Sequence, residues 1–107
     1  MTQHSVRPLL DFIAGSPSCY HVIANTAAEL TAAGYVPLPE GERWALAPGG
    51  RYFVTRNSSS LIAFRVPEYL TGGFMMAAAH SDSPAFKLKE HAELRDNGYV
   101  RLNTEKY

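Results

Sequence analysis

Val6, Leu9, Leu10 and Ile13 recur at three- and four-residue steps, a spacing that predicts a helix over 5–14. Gly15 supplies its stop, and Pro8 falls in its first turn, where a missing N–H costs little. Ser16-Pro17-Ser18 restarts the chain as a cap. Cys19, Val22, Ile23, Ala27 and Leu30 then mark one stripe of a second helix, running from 17 or 18 to 33 and ended by Gly34. From Tyr35 the period shortens to that of strands. Tyr35-Val36-Pro37-Leu38 reads as a short strand that Pro37 confines to an edge. Pro48-Gly49-Gly50 is a turn, and two β-rich runs, 51–56 and 61–66, are joined by Asn57-Ser58-Ser59-Ser60 as a hairpin. Thr71-Gly72-Gly73 turns the chain into the apolar run 74–79, which reads as a buried strand. Beyond Pro84, Phe86, Leu88 and His91 alternate with charges as on a half-exposed strand. Asp96-Asn97-Gly98 is a turn before a last strand over 99–103.

The pattern predicts an α/β fold, with two helices packed on one face of a mostly antiparallel sheet of about five or six strands. A run as apolar as 74–79 wants cover on both faces, which two helices cannot supply, so the chain reads as part of something larger. It shows no internal repeat, low-complexity tract or linker.

Composition narrows the class. Ten basic and ten acidic residues among 107 cancel, which argues against a nucleic-acid partner. The apolar runs are far too short for a membrane span, and the N-terminus lacks the pattern of a secretory signal. The single Cys19 cannot form an internal disulfide, consistent with a reducing, cytoplasmic setting.

The candidate chemistry lies where the apolar run ends, at His80-Ser81-Asp82. Imidazole is the commonest side-chain metal ligand, and a carboxylate two residues away can orient it. On its own a His-x-Asp is more often a satisfied histidine at a strand end. Ser81 and Ser83 lack the Gly-x-Ser-x-Gly elbow of a serine hydrolase. His4, His21 and His91 are scattered, with no HExxH or paired-Cys pattern to join them. His21 reads as a helix-surface or partly buried residue and Cys19 as a small apolar one. Arg56, Lys87 and Lys89 read as solvated charges, and Trp44, Tyr52 and Phe53 as core or interface.

Ala79-His80-Ser81-Asp82-Ser83-Pro84 resembles the Ala-His-Thr-Asp-Ser-Pro signature of the aspartyl aminopeptidases, the M18 family, and the Leu88-Lys89 pair follows as in that family. Ser16-Pro17-Ser18-x-Tyr20-His21 is similar to the start of the family's second helix. Stretches 50–57 and 59–64 resemble its hairpin, and 98–107 the segment leading to a Gly-Gly pair. The resemblance covers nearly the whole chain in order, with Ser81 for threonine the departure inside the signature.

The resemblance implies a zinc-dependent aminopeptidase with two zinc ions, removing N-terminal acidic residues from peptide substrates as a large cytoplasmic homo-oligomer. It assigns His80 as a metal ligand and Asp82 as the catalytic-site carboxylate that orients it. Residues 1–107 correspond to the N-terminal segment of the catalytic domain, without the family's inserted dimerisation domain and C-terminal part. The remaining ligands and the general-base glutamate lie in those absent parts, so the segment alone is expected to bind zinc weakly or not at all and to be inactive. Exposed apolar surface is expected to make it self-associate. The alternative is a non-catalytic protein-interaction module that keeps the fold without a complete metal site.

Overall fold

A computed structural model of the chain describes residues 5–69 and 72–106. His4, Thr71 of the predicted third turn, and Tyr107 lie outside the described residues. The element order is α1 (Arg7–Ala14), α2 (Cys19–Ala32), β1 (Val36–Pro37), β2 (Arg51–Arg56), β3 (Ser60–Arg65), β4 (Phe86–Asp96) and β5 (Tyr99–Lys106). Both helices lie where the apolar periodicity places them. The five strands match the expected number but divide between two sheets, β1-β2-β3 and β4-β5.

Ser18 caps α2 in extended conformation, its hydroxyl accepting from the His21 N–H, which satisfies one orphan donor of the first turn. Ile23 is the buried residue of α2, while Cys19, Val22, Ala27 and Leu30 are half-buried, so the predicted stripe is the packed face. Gly34 follows at φ +82°, the left-handed geometry that favours glycine. Gly15, by contrast, ends α1 at φ −79°. Its backbone is held from outside the helix: the Asn25 amide donates to the Gly15 carbonyl (2.9 Å) and to the Ser16 hydroxyl (3.0 Å). That clamp ties the α1–α2 turn to the middle of α2.

β1 pairs parallel to β2, and β2 antiparallel to β3. Asn57 and Ser58, at φ +50° and +53°, form the tight β2–β3 turn, closed by Ser59 N–H to the Arg56 carbonyl at 3.1 Å. Tyr52 and Phe53 are both buried. Successive side chains on a strand point to opposite faces, so the sheet is covered on both sides here. On one face Tyr52 stacks near Phe64, which stacks near Trp44, with ring centroids 5.8 and 6.3 Å apart. The Tyr52 hydroxyl accepts from the Ala47 N–H, and the Trp44 indole N–H donates to the Pro39 carbonyl, tying the 39–50 loop over this face. That leaves the Phe53 face to α2, which packs against all three strands.

β4 and β5 form a long hairpin closed by Asn97-Gly98, both at positive φ, as the sequence signal predicts. Its register breaks in the middle: Leu88 pairs with Thr104 and Glu93 with Leu102, so residues 89–92 face Asn103 alone. His91 takes φ +56° in this bulge, which ends the strict alternation expected through that position.

Residues 74–79 differ from expectation. They lie outside both sheets, in no regular element, and Phe74, Met75 and Met76 are 94%, 103% and 90% exposed. An apolar run forms a buried strand only where neighbouring strands take up its backbone groups, and the described residues leave it without them. The α1 stripe of Val6, Leu9, Leu10 and Ile13 is likewise exposed. No helix among the described residues is long and apolar enough to cross a membrane.

Candidate functional site

The apolar segment 74–79 delivers His80 at its end, ahead of the β4–β5 hairpin. The His80 and Asp82 side chains meet: His80 Nδ1 lies 3.0 Å from Asp82 Oδ1 and 2.7 Å from the Asp82 main-chain oxygen. Both neighbours of Nδ1 are acceptors, so Nδ1 carries the proton and donates, leaving the lone pair of the neutral ring on Nε2. The His80 side chain is 76% exposed and that of Asp82 40%. At that exposure the pair adds little to stability; its effect is to orient the ring.

Ser81 serves the opposite side. Its hydroxyl donates to the Ser59 carbonyl (3.1 Å) at the end of the β2–β3 turn, a contact 22 residues away in sequence. Ser81 and Asp82 are half-buried, whereas residues 72–80 before them are exposed. The Ser81 hydroxyl is engaged by the scaffold rather than by His80, which is no arrangement for a nucleophile.

The other candidates stay apart. His21 is exposed on α2, its Nδ1 2.7 Å from the Ser18 hydroxyl, as a helix-surface residue. His91 is exposed in the β4 bulge, and Cys19 is a half-buried free thiol. Lys87 and Lys89 are exposed on β4, and nothing in the structure gives Lys89 a role. Among the described residues, no three His, Cys, Asp or Glu side chains converge as a metal site. The donor chemistry at His80 nonetheless fits one zinc ligand: an imidazole held through Nδ1 by a carboxylate, with Nε2 left as the ligating atom.

Two features escaped the sequence reading. One is the Ser81–Ser59 anchor, for which the middle position of His-x-Asp was the available signal, since it must point away from its neighbours. The other is the Arg56–Glu40 pair, in which the guanidinium Nε donates to Glu40 Oε1 at 2.7 Å. No local signal joins residues 16 apart across a loop.

The chain is similar to known proteins over nearly its whole length. The family model described as aminopeptidase I zinc metalloprotease (M18) matches residues 12–107. The chain is 45% identical over 101 residues to the probable M18 family aminopeptidase 2 of Pseudomonas putida (strain GB-1), covering 92% of this chain and 24% of that protein. The protein of the same description from Pseudomonas aeruginosa (strain LESB58) is also 45% identical over 101 residues, with the same coverage. The structure of Chaetomium thermophilum mApe1 aligns with a TM-score of 0.85 at 39% identity, covering 97% of this chain and 24% of that one. The S. cerevisiae mApe1 dodecamer shares the fold, with a TM-score of 0.70 at 23% identity over 95% of this chain and 25% of that one. This chain thus spans about a quarter of the length of the curated relatives it matches. With residues 12–107 matched by the family model and 45% identity to a curated member over 92% of this chain, the chain belongs to the M18 family of aminopeptidases, the aminopeptidase I zinc metalloproteases.

Proposed function

We propose that the chain is the N-terminal segment of the catalytic domain of a cytoplasmic, homo-oligomeric aminopeptidase with two zinc ions, which removes N-terminal Asp or Glu from peptides. The observation that carries this reading is the His80–Asp82 pair, whose carboxylate accepts from Nδ1 and leaves Nε2 for a metal. Zinc, when bound, polarises a carbonyl oxygen and makes water a nucleophile near neutral pH. His80 would hold one ion, with Nε2 the nitrogen left to ligate it. Asp82 fixes the tautomer and the ring plane, and its charge raises the basicity of the ligating nitrogen. The acidic preference rests on the family resemblance, and the homo-oligomer also on the exposed apolar surface.

One imidazole does not make a catalytic zinc site, which ordinarily has three protein ligands, so the segment alone is expected to turn over no peptide. In the full-length enzyme, His80→Ala should abolish hydrolysis of N-terminal Asp and Glu substrates and lower the bound zinc measured by elemental analysis. Asp82→Asn should cut turnover roughly 10–100-fold with a smaller loss of zinc. Equal zinc loss in both variants would overturn the separate roles, and equal rates on acidic and neutral N-termini would overturn the specificity.

A further inference from the structure

The Ser81 hydroxyl ties the metal-site pair to a rigid part of the fold. Its acceptor, the Ser59 carbonyl, belongs to a turn fixed by two positive-φ residues and closed by the Ser59 N–H to the Arg56 carbonyl. The Arg56 guanidinium in turn donates to Glu40 in the 39–50 loop. The segment before the site, 72–80, has exposed side chains and pairs with neither sheet, so the ladder does not hold it. The His80 and Asp82 side chains meet each other, whereas the Ser81 side chain between them turns to the Ser59 carbonyl. A bond from that middle side chain to the scaffold therefore fixes the backbone between the pair and sets the direction in which His80 and Asp82 face.

We propose that Ser81 is a positioning residue: its hydrogen bond to the β2–β3 turn orients the His80–Asp82 pair for metal binding. This rests on His80 being a zinc ligand. It assigns the β2–β3 hairpin a part in the metal site through a main-chain carbonyl.

The test compares Ser81→Thr with Ser81→Val in the zinc-loaded full-length enzyme, because the two side chains have nearly the same shape and only the first can donate. Zinc affinity is read by competition with a chelator, and kcat and KM at saturating zinc. Ser81→Thr should match the parent, whereas Ser81→Val should bind zinc about tenfold more weakly and, at saturating zinc, show a lower kcat with KM unchanged. Ser81→Ala, which avoids β-branching, should behave like Ser81→Val and serves in its place if the valine variant does not fold. Equal zinc affinity and kcat in Ser81→Thr and the hydroxyl-free variants would overturn the positioning role. His80→Ala separates the two failures: if it loses zinc while the Ser81 variants do not differ, this inference alone falls. If His80→Ala retains full zinc, the ligand assignment falls and takes this inference with it.

Discussion

The Arg56 guanidinium, hydrogen-bonded to Glu40, holds that carboxyl below the usual glutamate range, and Glu40 in turn raises the arginine. Arg56 is charged at every working pH, so Glu40 alone titrates. Its folded pKa is depressed, so the contribution of the pair is present above the unfolded value and is lost as pH falls through the folded one. The side chains are 70% and 42% exposed, for Arg56 and Glu40 respectively, and salt screens such a pair. The Glu40 carboxyl resonance, followed by NMR across acid pH, should therefore titrate below an ordinary glutamate. Arg56→Gln should move the midpoint up to the ordinary range, and about 1 M salt should move it part of the way. A midpoint that Arg56→Gln leaves in place would show that another group holds the carboxylate. The same reasoning from single atoms makes His80 readable: two acceptors at Nδ1 decide where its proton sits.

At the scale of elements, the 39–50 loop and β2 depend on close approach at Gly50. A Cβ there would lie 2.4–2.6 Å from the Tyr52 ring and hydroxyl. That ring is buried, and its hydroxyl accepts from the Ala47 N–H, so it cannot swing aside without losing the bond. Gly50→Ala should therefore cost roughly 1–3 kcal/mol in denaturant unfolding, the range for overpacked sites. Gly41→Ala, where nothing lies within 4 Å, should be close to neutral. Equal effects would mean that the loop relaxes freely. The helices and both hairpins were legible because their signals are local: a stripe every three or four residues, a capping serine, an Asn-Gly pair. The signature His80-Ser81-Asp82 was legible for the same reason. What escaped depends on distant partners. Residues 74–79 carry the composition of a buried strand, but burial requires strands that the described residues do not bring to it. The bulge at His91 follows from a register shift between β4 and β5 rather than from the residues around it. The split into two sheets likewise follows from pairing, which periodicity does not specify.

For the whole molecule, shape and exposure lead to one expectation. The Cα radius of gyration is 20.1 Å, against roughly 13 Å for a compact domain of about 100 residues. Among the described residues only Ile23, Tyr52 and Phe53 form a buried apolar core. Meanwhile the α1 stripe, residues 74–76 and one side of the β4–β5 hairpin leave large apolar side chains in water. Among the described residues β3 has an unpaired edge in its sheet. Zero formal net charge supplies no repulsion between copies. Such surfaces and edges seek another chain, so the segment by itself should associate with a second copy. Light scattering on a sizing column should show a mass above the monomer that rises with concentration. The double variant Met75→Glu, Met76→Glu puts two like charges into the most exposed apolar segment and should shift the equilibrium toward monomer. A parent that stays a monodisperse monomer at high concentration would overturn the expectation. Association untouched by the double variant would instead place the contact on α1 or the hairpin, where Leu10→Glu and Val100→Glu would then separate the two.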